Sequence, residues 1–280
     1  MPQCGCFRSY ELASGGSGCF TLRVPLQGVI SLDGLLQQAG VAQPVSPPTH
    51  DPWDRADGVG VTCYALRLIS RETQLSGFLD LLKSKIIVDL TPSIDECYSL
   101  APYTVFDDRQ QASKTRVGDL LNRAKYQKDG AASQALCKEL QAFISGHPRL
   151  RDCGWVVAPP KTDPRTPDLA GQWAQELATG LGWQFVRANK VRQTDPQKTL
   201  DDDSSEEQAV ARVLGSVEVK GASRGACILI VDDTIRSGGT ILEVARALRI
   251  AGAREVFGLS AAKDARFTLG GIDLSGGHWQ

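Results

Sequence analysis

The chain has 280 residues, 42% of them hydrophobic, which is enough to bury a sizeable core in one or two domains and too apolar for a disordered chain. Lys and Arg number 31 against 32 Asp and Glu, so a net charge of -1 excludes a general drive toward nucleic acid or an anionic membrane, although a local basic groove is compatible with that balance. No apolar run reaches the roughly 20 residues of a spanning helix, and the N-terminus "MPQCGCFRSYELASGG" lacks an apolar signal core, which predicts a cytoplasmic protein with no membrane partner.

Residues 1–100 are rich in Gly, Pro and Ser, and "QPVSPPTHDPWDRADGVG" reads as a long loop. Alternation in "VTCYALRLIS" (Val61 to Ser70) and the apolar "KIIVDL" (Lys85 to Leu90) predict strands, with few helix signals, so this part is expected to form a mixed or β-rich cap or hood. The eight cysteines are scattered along a chain without a secretion signal, which predicts reduced thiols. Cys4, Cys6 and Cys19 could supply zinc thiolates, but without a CxxC pair or a nearby His the metal signal is weak.

From Ser113 the texture changes. "SKTRVGDLLNRAKYQ" sets Val117, Leu120, Leu121 and Ala124 at helical spacing behind a candidate Ser113 cap, and "AASQALCKELQAFISG" repeats the pattern before Gly146 and Pro148. Then short apolar strands alternate with helices: "WVVAP", "PDLAGQWAQELATGLG", "WQFVR", a polar stretch, "ACILIVDD", "TILEVARALRIAG" and "EVFGLSA". Such alternation predicts an α/β fold with a doubly wound parallel sheet covered on both faces, its ligand beyond the carboxyl ends of the strands.

The stretch "ILIVDDTIRSGGT" (Ile228 to Thr240) falls at such an end. Ser237, Gly238, Gly239 and Thr240 lie between a strand and a helix start, where unbonded N–H groups and the positive end of the helix dipole suit an anion; glycines allow close backbone approach, and the two hydroxyls can donate. A plain capped helix start is the competing reading, for which Thr240 alone would suffice. Asp232 and Asp233 are expected to end a buried strand, where adjacent carboxylates are costly unless a donor or cation meets them. A ribose diol is one such guest and a metal ion is the rival.

Val231 to Thr240, behind "CILI", resembles the phosphoribosyl pyrophosphate (PRPP) signature of type I phosphoribosyltransferases. Leu120 to Leu140, Val156 to Arg165, Trp173 to Gly182 and Arg192 to Leu200 resemble, in that order, the body of the ComF-like branch of that family, over about residues 101–265. Nothing in the first hundred residues matches the cysteine-rich zinc module of many ComF proteins. The resemblance implies a phosphoribosyltransferase-like domain over residues 101–280 behind the 1–100 hood. It implies that Asp232 and Asp233 are the catalytic pair on the ribose hydroxyls and the metal-side carboxylates, with Mg2+ as cofactor. Arg236, Ser237, Gly238, Gly239 and Thr240 would wrap the 5-phosphate; Ala158, Pro159, Pro160 and Lys161 would grip pyrophosphate; Arg192 to Leu200, followed by "DDDSSEE", would be a flap over PRPP or a solvated linker.

Two departures qualify the likeness. "LAGQW" (Leu169 to Trp173) replaces the branch's Arg-Gly-Phe-Asn-Gln run, and Arg236 stands where purine-salvage members often carry an acid, so hypoxanthine or guanine salvage is disfavoured, since a guanidinium cannot accept the proton. The reading is therefore transfer of phosphoribose from PRPP to a nitrogenous acceptor that the sequence does not identify. The alternatives are a non-catalytic PRPP or nucleotide sensor, or a component of a bacterial DNA-uptake or phage-defence system that keeps the fold; the charge balance gives nucleic acid no support as a partner. Such a domain leaves room for a homodimer or larger complex. Phe267 and Trp279 are candidate ring-stacking residues, with core or tail packing the plainer reading.

Overall fold

The computed structural model describes residues 4–7, 9–16, 19–25, 27–28, 32–51, 61–106, 111–161, 165–192, 213–221 and 224–264. In chain order these form β1 (Cys4–Cys6), β2 (Glu11–Gly16), β3 (Cys19–Val24), β4 (Gln27–Gly28), α1 (Asp33–Gln38), β5 (Ala42–Pro44), β6 (Thr49–Asp51), β7 (Val61–Leu68), α2 (Glu72–Leu82) and β8 (Ile86–Val88). They continue as β9 (Glu96–Pro102), β10 (Thr104–Phe106), β11 (Ala112–Lys114), α3 (Arg116–Tyr126), α4 (Gly130–Gly146), β12 (Trp155–Ala158) and α5 (Leu169–Leu181). The last are β13 (Gln184–Arg187), β14 (Asn189–Lys190), β15 (Val217–Glu218), β16 (Cys227–Ile235), α6 (Gly239–Ile250) and β17 (Glu255–Lys263).

An eight-stranded sheet in the order β13-β12-β16-β17-β9-β8-β1-β4 organises the molecule. From β13 to β9 every pairing is parallel, while β8, β1 and β4 add on antiparallel. The expected parallel α/β sheet is present, extended into a mixed one by N-terminal strands. The boundary expected near residue 100 falls inside β9, so the sheet is continuous across it. Strand β9 carries no apolar run because its buried polar side chains find partners far away in sequence: Ser99 Oγ lies 2.6 Å from Ser260 Oγ, and Glu96 meets Arg149.

Helix α5 returns the chain from β12 to β13 on one side, and α6 returns it from β16 to β17 on the other. Right-handed crossovers in opposite directions put these helices on opposite faces. Strands β12 and β16 are neighbours, so the loops that follow them part company above the sheet; this is the topological switch point, where a crevice opens. On the face of α5, helices α3 and α4 complete the cover, with Leu121, Ala124, Leu136, Leu140 and Phe143 in the common core.

Local chemistry sets the helix ends. Thr115, not Ser113, caps α3: its Oγ1 accepts from Gly118 N at 2.9 Å, and Ser113 belongs to β11. Asp129 caps α4, and Asp168 caps α5, which stops at left-handed Gly182 (φ +71°). A second, antiparallel sheet, β2-β3-β7-β5 with β6 paired to β7, makes the N-terminal part β-rich as expected. The same region also holds α2, whose Leu75, Phe78, Leu79 and Leu82 are buried at helical spacing. This layer is fastened to α2 by Tyr10, whose hydroxyl donates to Ser76 O and Asp80, and Gln38 of α1 accepts from Arg149 beside the amino end of β9. No three His, Cys, Asp or Glu side chains, Cys4, Cys6 and Cys19 included, gather as a metal site among the described residues.

Candidate functional site

The carboxyl ends of β12, β13, β16, β17 and β9 share one edge of the sheet, because parallel strands end together. Strand β16 is interior, flanked by β12 and β17, as the sequence implied. It does not stop at the acids, however: the parallel ladder with β17 runs on through Asp232↔Ser260, Thr234↔Ala262 and Ile235↔Lys263. Asp232 and Asp233 are therefore consecutive residues of the extended strand, and both act on the ammonium of Lys125. Both are half-buried.

The structure gives each acid a different environment. Asp233 Oδ2 accepts from Lys125 Nζ at 2.5 Å, a contact supplied by the last turn of α3. Asp232 Oδ1 accepts the N–H of Asp233 at 2.7 Å. Burial, then the charge of Asp233, pushes the Asp232 carboxyl up to about 7, against the pull of that N–H and Lys125; Asp168 adds to the upward push. Lys125 is held above its ordinary value, since Asp233 and Asp232 outweigh the burial of its ammonium.

After Ile235 the chain turns into α6 through Arg236, Ser237 and Gly238. Gly238 has φ +81°, a conformation side chains rarely adopt, and a Cβ there would also lie 3.0 Å from Leu90 Cδ2. It is the N-cap residue and supplies no side-chain cap. Gly239 N lies 3.4 Å from Ser237 Oγ, a marginal contact, so the first N–H groups of α6 retain donor capacity for an anion. Ser237, Gly238 and Gly239 are buried and Thr240 half-buried. Arg236 turns its Nε to Asp264 Oδ2, 3.3 Å away.

From β12, Ala158 and Pro159 are buried, Pro160 half-buried and Lys161 exposed. They leave the strand next to β16, so the two loops singled out in the sequence flank the switch point. Arg192 is exposed, and residues 193–200 together with "DDDSSEE" lie outside the described residues, as do Phe267 and Trp279. What roots that segment is visible: β14 pairs with β15, and Val217 N donates to Glu243 Oε1 one turn into α6.

Sequence reasoning missed four contributors. Lys125 gives no signal beyond being a cation in an amphipathic helix. Arg187 ends β13 as the acids approach the end of β16, and its Nη2 lies 2.5 Å from Asp168 Oδ2, the cap of α5. Gly171 makes room for that pair, since a Cβ would sit 1.6 Å from the guanidinium. The divergent "LAGQW" segment is thus the first turn of α5, with Trp173 buried and its Nε1 donating to Ser133 Oγ at 2.9 Å. Lys263 is the fourth, fully buried at the end of β17.

Residues 156–260 match the family model "Phosphoribosyl transferase domain". The match covers β12 through most of β17, including both loops and both acids; the fold there is α/β of the type I phosphoribosyltransferase kind. Among curated relatives, the amidophosphoribosyltransferase of Pseudomonas aeruginosa is 31% identical over 115 residues, which is 40% of this chain and 22% of that protein. The chain thus spans about a fifth of the length of that relative. Among solved structures, the orotate phosphoribosyltransferase of Aeropyrum pernix is similar at 15% identity and TM-score 0.35, covering 61% of this chain and 82% of that one. The adenine phosphoribosyltransferase of Leishmania tarentolae is similar at 11% identity and TM-score 0.37, covering 65% and 96%. No helix among the described residues is long and apolar enough to cross a membrane.

Proposed function

We propose that the carboxyl edge binds PRPP, as its Mg2+ complex, and transfers the phosphoribosyl group to a nitrogenous acceptor. The observation that carries this reading is one continuous element: two carboxylates on interior strand β16, followed at once by a helix N-terminus with no side-chain cap behind left-handed Gly238, at the switch point. Arg236 to Thr240 take the 5-phosphate, Asp232 and Asp233 the ribose hydroxyls, and Ala158 to Lys161 the diphosphate. The domain match over the same residues supports the assignment. The ComF-like branch rests on the segment order from Leu120 to Leu200.

The donor set suits Mg2+ that arrives with the substrate. Two hard carboxylate oxygens are too few for a protein-only site, and a diphosphate supplies the rest. Bound there, the ion would neutralise charge on the departing pyrophosphate. The chain's own residues do the remaining work. The helix N-terminus fixes the phosphate, and the acids hold the sugar while positive charge develops at the anomeric carbon, as in other glycosyl transfers. Lys125 holds Asp233 in the absence of ligand and limits the repulsion between the carboxylates.

The test is pyrophosphate release from Mg2+–PRPP across a panel of nucleobases and other nitrogenous acceptors, read by mass spectrometry. Asp232→Asn with Asp233→Asn is expected to lower turnover by at least about a hundredfold, a loss of about 3 kcal/mol of transition-state stabilisation, with a much smaller loss of phosphate affinity. Undiminished release by the double variant would refute the assignment. Saturable PRPP binding without release from any acceptor would identify a sensor.

A further inference from the structure

Lys263 is 0% exposed, and an ammonium is buried at a cost of several kcal/mol unless its donors are met. Its Nζ donates to two backbone carbonyls, Arg236 O at 2.7 Å and Asp264 O at 3.2 Å. The first belongs to the peptide joining Arg236 to Ser237, where the anion-binding loop begins. That peptide is trans, so its C=O and N–H point in opposite directions. An ammonium that holds the carbonyl therefore turns the Ser237 N–H the other way.

The loop has little means of holding this orientation alone. Gly238 and Gly239 follow, and glycines permit the widest range of backbone conformations. Asp264 braces the same turn from a second direction: its N–H donates to Ile235 O at 2.8 Å, and its carboxylate lies 3.3 Å from Arg236 Nε. Tyr103 N donates to Lys263 O at 2.8 Å, tying the end of β17 to the turn after β9. The clamp is built from the strand next to β16 and reaches the loop from beneath, leaving the loop's N–H groups to a ligand.

We propose that Lys263 is a positioning residue for the anion-binding loop: its ammonium sets the 236–237 peptide so that the Ser237 N–H serves the phosphate. This rests on the phosphoribosyl reading of the loop. It predicts selectivity, because the clamp's hydrogen bonds from Lys263 and Asp264 run to the turn after β16, whereas the diphosphate loop follows β12.

The experiment titrates ribose 5-phosphate and, separately, inorganic pyrophosphate into the full chain and its Lys263→Met variant by calorimetry. The variant is expected to bind ribose 5-phosphate about tenfold or more weakly, the scale of one charge-assisted hydrogen bond, with pyrophosphate affinity unchanged. Unchanged ribose 5-phosphate affinity, or equal loss for both probes, would overturn the proposal. Lys263→Arg, which keeps the charge, is expected to recover part of the loss. Should Lys263→Met fail to fold, the Ser237 amide resonance of the wild type decides: ribose 5-phosphate is expected to shift it strongly downfield, and an unmoved Ser237 signal in saturated protein would overturn the role. Absence of ribose 5-phosphate binding by the wild type would instead refute the parent reading.

Discussion

The two edges of the main sheet carry comparable numbers of charged groups and use them differently. At the amino edge Arg149 donates to Glu96, Glu255 and Gln38, and Arg249 reaches Asp95 at 2.6 Å. His147 is fully buried against Glu96, with Tyr98 hydroxyl 3.1 Å from its Nε2 and the rings of Phe78 and Phe143 around it. Those side chains saturate one another. At the carboxyl edge two acids stand on neighbouring residues of one strand, a helix begins without a side-chain cap, and a buried lysine donates to two backbone carbonyls. Charge at the first edge fastens elements together, whereas in the proposed reading charge at the second also receives a guest.

If that contrast is right, damage at the amino edge is read in stability and damage at the carboxyl edge in binding. Arg149→Met should be the most destabilising change, costing about 3–5 kcal/mol in urea unfolding, because it strands the fully buried Glu96 carboxylate. Ligand affinity per folded molecule should be unchanged. Gly238→Val should do the reverse, abolishing measurable phosphate binding by forcing a branched side chain into φ +81° against Leu90, with a smaller cost in stability of about 1–3 kcal/mol. Equal effects of both substitutions on affinity would erase the distinction.

The edges should also answer pH with opposite slopes. Burial, then the charges of Arg149 and Arg151, lowers the pKa of His147 to about 3, below its unfolded value near 6.5. Between those values the unfolded chain binds more protons, so this group's contribution is complete above about 6.5 and is lost as pH falls toward 3. Asp232 has the reverse sign. Its folded pKa is raised to about 7 from about 3.8, so its contribution is present below the unfolded value and is lost as pH rises from about 4 through 7. Stability measured across pH for His147→Gln and Asp232→Asn, each subtracted from wild type, should give slopes of opposite sign; slopes of the same sign would contradict the two environments. The smallest expected effect belongs to Gly182→Ala, about 1 kcal/mol from the left-handed end of α5, with neither affinity nor pH slope altered.

Legibility from sequence divided along the same line. The strand–loop–glycine–helix element at Ile228 to Thr240 could be read directly because its chemistry is contiguous, as could the alternation from β12 to β17. Strand β9 could not, because Glu96, Ser99 and Tyr98 break the apolar pattern and are satisfied by residues up to 161 positions away. Lys125 meets Asp233 across 108 positions, and Lys263 meets the loop by one backbone carbonyl, that of Arg236, which no residue type announces. The extension of β16 through both acids was hidden for another reason: a strand's end is set by its neighbour β17, not by where its own apolar run stops. Helix α2 was legible after all, since Leu75, Phe78, Leu79 and Leu82 carry the helical period within a segment dominated by loop composition.

The central claim is that the loop from Arg236 to Thr240 and the two acids beside it form one anionic-sugar site. Calorimetric titration of Mg2+–PRPP into the wild-type chain and into Gly238→Val tests it most directly. A single saturable site in the wild type that disappears in the folded variant is the predicted result; no binding by the wild type, or the same affinity in both, would contradict it.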